Sequence, residues 1–448
     1  MRIAITGTGG RLGSALVAAF MREAPIAPAV SVESWARPSL DLDRPETLTA
    51  VVRERRPDLV IHAAAWTDVD GCAAEPDLAM RRNGEATAAL AAACNELGAD
   101  LLYVSTNEVF DGRRTDGRPY AEDDRPSPPN AYGRSKWAGE KAVLAGIGPV
   151  AAGRGTASLA VVGPGTAGGT GEQAGAATAY GAPAMGRAAD HGGTSVADRG
   201  GVAGRGGTPA ADRGGTPAAD RGEPRRWVVR TSWLYGPPGA DFPARIIAAA
   251  ARTAARGAIL RLVADEFGCP TRAADLASGI VALVRARPQS GIYHLVNAGH
   301  TSRADWAEAV LRGAEIQVLM ERVPGSTWSR PSTPPPWGVL GTSRAAQLGI
   351  ILRGWRAALF DEVPRLLELA VEARASAARG DGARGDAGDA GRDGEGDDPP
   401  AVGPVAGSTG AAGSASDAAG STGAAGSAGA GADTAAGAGS AGAGREIR

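Results

Sequence analysis

Tyr132 and Lys136 stand four residues apart in a chain of 448 residues that holds 6 tyrosines and, against 45 arginines, only 2 lysines. At that composition chance supplies roughly 0.03 Tyr-x-x-x-Lys matches. On a helix, residues i and i+4 share a face, so phenol and ammonium would project into the same space. A phenol titrates near about 10, and a cation within a few ångströms lowers it toward the operating pH, where a general acid is most effective. The pair therefore predicts proton exchange at a tyrosine. The other lysine, Lys141, reads as an exposed helix position.

A second group of residues follows the first apolar run. In Thr6-Gly7-Thr8-Gly9-Gly10-Arg11-Leu12-Gly13, Gly7 permits a tight turn, Gly10 lets a pyrophosphate approach the backbone, and Gly13 allows close helix-strand packing. Between a strand and a helix at the start of an α/β chain, this pattern predicts dinucleotide binding. Glu33 would suit the free 2′-hydroxyl of NAD and Arg37 the 2′-phosphate of NADP; the balance leans to NADPH, with NADH open. Asp41-Leu42 either closes over the adenine or supplies a cap for the helix beginning near Pro45. Ala63, Ala64 and Ala65, small side chains at a strand end, leave room for a cofactor. With a nicotinamide bound, Lys136 would hydrogen-bond the ribose, Tyr132 would pass a proton to a substrate oxygen, and the Thr106 hydroxyl could hold that oxygen.

Short apolar runs alternating with helical stretches must position these groups, the pattern of a parallel sheet covered by helices. Strands are expected over 2–6, 29–32 (weakly), 59–62, 100–105, 227–231, 259–263, 291–297 and 317–322. Helices are expected over 12–23, 46–55, 79–97, 135–144, 243–255, 274–285 and 302–313. The fold class is α/β, a doubly wound parallel sheet of Rossmann type with a smaller C-terminal substrate lobe, built from 1–145 and 227–374. Two stretches, 146–226 and 375–448, are so rich in Gly, Ala, Ser, Thr, Pro, Asp and Arg that they cannot bury enough surface to offset ordering entropy. Both are expected to be disordered. Inside the first, the octapeptide Gly-Gly-Thr-Pro-Ala-Ala-Asp-Arg occurs at 206–213 and 214–221, with a degenerate copy at 192–199, and reads as expansion of a surface loop.

A net charge of −2 without a basic stripe argues against nucleic acid. Cys72, Cys94 and Cys269 lack paired or metal-ligand spacing and read as reduced thiols. Glycines arrive within six residues of the first methionine, leaving no room for a signal peptide, and no apolar run of about 18 residues could span a membrane. A soluble, cytoplasmic protein is expected. The four histidines add no chemistry, since His62 and His294 fall in strands and His191 and His300 in loop sequence.

Six segments together resemble the dTDP-4-dehydrorhamnose reductases, extended short-chain dehydrogenase/reductases. They are Gly7/Gly10/Gly13, the run from Ala63 through Trp66-Thr67-Asp68 to Asp70, Ser105-Thr106-Asn107-Glu108-Val109-Phe110-Asp111-Gly112, Tyr132/Lys136, Arg230-Thr231-Ser232-Trp233-Leu234-Tyr235-Gly236, and Asp265-Glu266-Phe267-Gly268-Cys269-Pro270-Thr271. The resemblance implies that Tyr132 donates the proton, with Lys136 its partner and Thr106 a tuning hydroxyl. It implies cofactor contacts at Gly10, Arg11, Leu12, Asp41, Leu42, the alanine run and Thr67, and contacts of Asn107 and Trp233 with a dTDP-sugar. The implied reaction is NAD(P)H-dependent reduction of the 4-keto group of dTDP-4-dehydro-L-rhamnose to dTDP-L-rhamnose. A homodimer and Mg2+ enter as expectations by the same resemblance, although no ligand cluster in the sequence places the metal.

One departure stands out: the family usually reads Ser-Thr-Asp-Tyr-Val-Phe, and this chain has Asn107-Glu108 in place of Asp-Tyr. Thr-x-Glu resembles the sugar-nucleotide 4,6-dehydratases, but Asn107 cannot donate a carboxylic proton, so elimination would lose its general acid. A dehydratase or epimerase is the alternative within the fold. A non-catalytic regulatory subunit, as in methionine adenosyltransferase, is the alternative outside catalysis, and the intact Thr106, Tyr132 and Lys136 set argues against it.

Overall fold

Ile3, Ala4 and Ile5 are all enclosed, which requires cover on both faces and puts the strand Arg2–Thr6 (β1) inside a sheet. The computed structural model describes residues 1–23, 30–37, 40–145 and 223–379. After β1 come α1 (Arg11–Glu23), β2 (Ser31–Trp35), α2 (Pro45–Arg55), β3 (Leu59–His62), α3 (Val69–Ala74) and α4 (Pro76–Ala79). A π-helical turn, Met80–Glu85, joins α4 to α5 (Ala86–Leu97), followed by β4 (Asp100–Thr106), α6 (Ala131–Ala145) and β5 (Arg226–Thr231). Next are β6 (Leu234–Tyr235), α7 (Phe242–Ala255), β7 (Ile259–Val263), β8 (Phe267–Gly268), β9 (Thr271–Arg272) and α8 (Ala273–Ala286). The described part closes with β10 (Gly291–His294), β11 (Thr301–Ser302), α9 (Arg303–Gly313), β12 (Leu319–Val323), α10 (Ser343–Gln347), α11 (Trp355–Phe360) and α12 (Val363–Arg379).

Six strands form one parallel sheet in the order β10-β5-β4-β3-β1-β2. The two faces follow the strand alternation: Ile3 and Ile5 pack with Leu12, Leu16 and Phe20 of α1 and Leu276 and Ile280 of α8, whereas Ala4 and Val60 face Leu48 and Val52 of α2 and Leu90 of α5. The chain leaves β1 for β2 on one side and returns for β3 on the other, so the order reverses between β1 and β3. In open α/β sheets ligands bind in the crevice at such a switch point, beyond the strands' carboxyl ends. A separate core, with Ile246 and Ile247 of α7, Leu260 and Leu262 of β7, Trp306 and Val310 of α9 and Leu366 of α12, makes the smaller lobe.

Several expectations shift. The weak second strand expected over 29–32 runs Ser31–Trp35, because its register with β1 pairs Ser31 to Arg2 and Trp35 to Thr6. The helix expected over 79–97 begins at Pro76 and carries the π turn. The helix expected over 135–144 starts at Ala131, since Asn130 Oδ1 accepts from Gly133 N at 2.8 Å and closes the first turn. Of the elements beyond β6, α8 and β10 join the main sheet and its cover rather than the substrate lobe. The expected insertion lies outside the described residues as far as 222, but Arg226 belongs to β5 and donates to Ala99 O at 2.7 Å. Residues 375–379 of the expected tail continue α12; the remainder of that tail, and the octapeptide copies, lie outside the described residues.

Candidate active site

A cleft of about 960 Å³ opens at the switch point, walled by the glycine turn after β1, the alanine run after β3, the ends of β4 and β5, and the first turns of α6 and α7. Its floor is backbone. Gly7 has φ +70°, and a Cβ there would lie 2.8 Å from the Ala64 backbone; a Cβ on Gly13 would lie 2.0 Å from Gly7 O. Only glycine allows α1 to start this close to the strand, which leaves its N-terminal N–H groups facing an incoming anion. Thr6 Oγ1 accepts from Ala63 N (3.1 Å) and Ala64 N (3.0 Å) and meets His62 Nδ1 at 2.8 Å, fixing the two turns against each other. Burial holds the His62 imidazole down to about 3, so it stays neutral and structural. This backbone cradle fits a dinucleotide.

Gly7, Gly10, Arg11, Leu12, Gly13, Arg37, Leu42, Ala63, Ala64, Ala65, Thr67, Thr106, Asn107, Tyr132, Lys136 and Trp233 all line this one cleft. Asp41 does not. Its carboxylate accepts from Asp43 N at 3.1 Å, and Arg44, without a side-chain cap bond, occupies the N-cap position of α2, so Asp41 does not cap that helix. Glu33 also stands apart, taking the Trp35 indole N–H at 3.3 Å, which leaves Arg37 as the member of that pair facing the cleft.

At the inner end, Tyr132 and Lys136 occupy successive turns of α6, both buried. Lys136 Nζ donates to Val104 O at 2.8 Å and sits 4.3 Å above the Tyr103 ring; burial brings its ammonium down to about 7, with Glu140 acting against that fall. Tyr132 does not show the expected lowering. Burial pushes its phenol well above the usual range, Glu108 adds to the rise, and a hydrogen bond with Thr106 opposes it. A phenol so enclosed keeps its proton, which is the form a proton donor needs. The helix is tied to the sheet by Arg230 of β5, whose guanidinium grips Glu140 at 2.8 and 2.7 Å, both side chains almost wholly buried.

Trp233 adopts φ +43°, a left-handed conformation that is unusual for a bulky side chain and is tolerated where packing dictates it. Its ring stacks on Trp306 at 5.5 Å, the Arg303 guanidinium lies 4.0 Å over it, and a Cβ on Gly268 would come within 2.4 Å of it. The sequence reading missed Arg303, which comes from α9, 32 residues beyond the last motif residue, Thr271. It also missed Asn83 in the π turn, which accepts from Trp66 N (2.8 Å) and donates to Ser135 Oγ (3.1 Å), joining the alanine run to α6. The local signal available was a lone Asn beside Gly84 in an otherwise regular helical pattern, and π turns recur at functional sites.

A strand-glycine-helix cradle and a Thr-Tyr-Lys group in one crevice define an α/β oxidoreductase of the extended short-chain dehydrogenase/reductase type. Comparison with known proteins agrees: the chain belongs to the family described as RmlD substrate binding domain, matched over residues 1–154 and 214–367. It is similar to a dTDP-4-dehydrorhamnose reductase of Streptomyces griseus, 31% identical over 369 residues covering 81% of this chain and 93% of that protein. A Streptomyces antibioticus protein described as a probable dTDP-4,6-dihydroxy-2-methyloxan-3-one 4-ketoreductase is 29% identical, with 82% and 96% covered. The crystal structure of a dTDP-4-dehydrorhamnose reductase from Clostridium acetobutylicum superposes with a TM-score of 0.58 at 25% identity, covering 82% of this chain and 99% of that one. Among the described residues no group of three or more His, Cys, Asp or Glu could hold a metal, so the Mg2+ expectation finds no ligands there. No described helix is long and apolar enough to cross a membrane.

Proposed function

We propose that this chain reduces the 4-keto group of dTDP-4-dehydro-L-rhamnose to give dTDP-L-rhamnose, with NADPH as reductant. The observation that carries the reading is the convergence of Thr106, Tyr132 and Lys136 on the cleft whose other end is the glycine cradle. The bound nicotinamide supplies a hydride to the carbonyl carbon. Tyr132 gives its phenolic proton to the oxygen that becomes the 4-hydroxyl, and the Thr106 hydroxyl holds that oxygen in line. Lys136, one turn along, offers a cation that stabilises the phenolate left behind and a donor for the nicotinamide ribose. Gly7, Gly10, Arg11, Leu12 and Gly13 cradle the pyrophosphate, with Leu42, the alanine run and Thr67 beside the rest of the cofactor. Arg37 on the cleft wall, with Glu33 turned away from it, supports the 2′-phosphate of NADPH over NADH. Asn107 and Trp233, with Arg303 behind the indole, meet the sugar nucleotide.

The folded unit in this reading joins 1–145 to the stretch beginning at Arg226, with the α7, α9 and α12 lobe receiving the nucleotide sugar. A cytoplasmic location and a homodimer belong to the same proposal; sedimentation of the purified protein at twice the chain mass tests the dimer. One observation favours a second reading: Glu108 is a carboxylate in the cleft, as an epimerase or dehydratase would use. The assay separates them. Purified protein is given dTDP-4-dehydro-L-rhamnose with NADPH or NADH, and nicotinamide absorbance is followed. Stoichiometric oxidation, faster with NADPH, is expected. Turnover without net oxidation would favour the second reading, and no oxidation with either cofactor would end the first.

A further inference from the structure

Glu108 and Asn130 are both buried, Glu108 on the wall of the cleft, and the Asn130 amide donates to Glu108 Oε2 at 2.6 Å. The same amide uses its other capacities. Nδ2 also donates to Thr333 O at 3.1 Å, and Oδ1 accepts from Gly133 N at 2.8 Å, beside Tyr132. Three separate segments therefore meet on one side chain: the turn after β4 that carries Glu108, the first turn of α6, and the Pro-rich stretch after β12. The turn and the helix press together closely, for a Cβ on Gly133 would lie 2.1 Å from Glu108 O.

We propose that Glu108 is a second charged member of the site, a positioning residue that acts on the reaction through Tyr132 and is itself fixed by Asn130. The inference rests on the reading of Tyr132 as proton donor. Glu108 lines the cleft with Tyr132 and Thr106, and its own N–H donates to the Thr106 hydroxyl at 3.2 Å. An ionised carboxylate held there opposes formation of a second negative charge on the tyrosine, so the phenol keeps its proton further into alkaline solution. The groups facing Tyr132 are Glu108 and Thr106 from the turn and strand end, Cys72 from α3, Tyr103 from β4 and Lys136 from its own helix. Among the acidic ones, Glu108 is the carboxylate, and it acts in the same direction as the enclosure of the ring. Asn130 supplies the hydrogen bond that holds the Glu108 carboxyl in place.

The test is the pH dependence of kcat in full-length protein, with NADPH affinity measured first for every variant. In E108Q the alkaline limb should move down by about one pH unit, the scale of one nearby interior charge. E108D keeps the charge but shortens the reach to Asn130, so it should lose kcat about tenfold with its limb within a few tenths of the parent's. An unmoved limb in E108Q, or equal shifts in E108Q and E108D, overturns the proposal. N130D retains the acceptor for Gly133 N yet sets two carboxylates against each other, and it leaves Glu108 in place if a neutral residue is not tolerated there. Its kcat should fall, and adding E108Q, whose amide can donate to the new carboxylate, should recover part of the loss. A double variant no faster than N130D contradicts the pairing. Y132F in the same assay separates the two readings: if it is inert while E108Q is unshifted, only the Glu108 inference fails; if it turns over normally, the proton-donor reading fails first.

Discussion

In the proposed reaction Tyr132 is the proton donor, so its loss should be selective. Y132F is expected to lower kcat by about 10²- to 10⁴-fold, the contribution of a positioned general acid, while NADPH affinity changes less than about twofold. Stopped-flow turnover and fluorescence titration check both halves, and a mild kcat effect would remove the phenol from its role. Lys136 adds a pH dependence. Its ammonium sits near about 7 in the free protein because it is buried. A cofactor that offers a ribose acceptor and negative phosphates raises that value, so binding takes up a proton above neutrality. NADPH affinity should therefore weaken as pH rises from about 7 to 9, and K136M should bind weakly with a flatter profile; a flat profile in the parent would contradict this. The pair was legible from the sequence because lysine is nearly absent elsewhere. The raised tyrosine was not, since it depends on enclosure by residues from three other elements, and no local pattern reports burial at Tyr132.

The glycine turn and α6 are set by two kinds of contact, one readable in the chain and one not. Gly13→Ala would drive a methyl into Gly7 O, so α1 must shift and cofactor affinity should fall at least about tenfold with a lowered melting temperature; unchanged binding would show that the close approach does not shape the cradle. That glycine announced itself by its place between strand and helix. The Arg230–Glu140 bridge between β5 and α6 did not, because its partners lie on either side of the 146–226 stretch. Glu140→Leu leaves a buried guanidinium uncompensated and should cost about 3–5 kcal/mol by urea unfolding, whereas Glu140→Leu with Arg230→Met should cost less. A double variant as unstable as the single would mean that packing, and not the charge, holds the helix. Strands buried on both faces, such as β3 and β5, were readable as apolar runs. The edge strand β2 was misplaced because one-sided pairing leaves little apolar signature, and α4's π-turn extension follows from Asn83's bonds to Trp66 and Ser135 rather than from periodicity.

The molecule divides its labour between a parallel sheet that floors the cleft and a lobe of α7, α9 and α12 that brings Trp233, Trp306 and Arg303 over it. Much of the sheet, β5 included, was foreseeable from alternation of strands and helices, but the assignment of α8 and β10 to it was not, since strand order is decided by long-range pairing. Residues 155–213 fall between the two stretches that match the family, so they have no counterpart in its common core. Their deletion should leave kcat within about twofold, and a collapse of activity would give that segment a part in catalysis. The central claim is hydride delivery to the sugar's 4-carbon, and isotope transfer tests it most directly. NADPH deuterated at the transferable position is incubated with enzyme and dTDP-4-dehydro-L-rhamnose, and the product is read by mass spectrometry and NMR. One deuterium at C4 of dTDP-L-rhamnose per NADPH consumed is the predicted result; an unlabelled product, or no product with either NADPH or NADH, would contradict it.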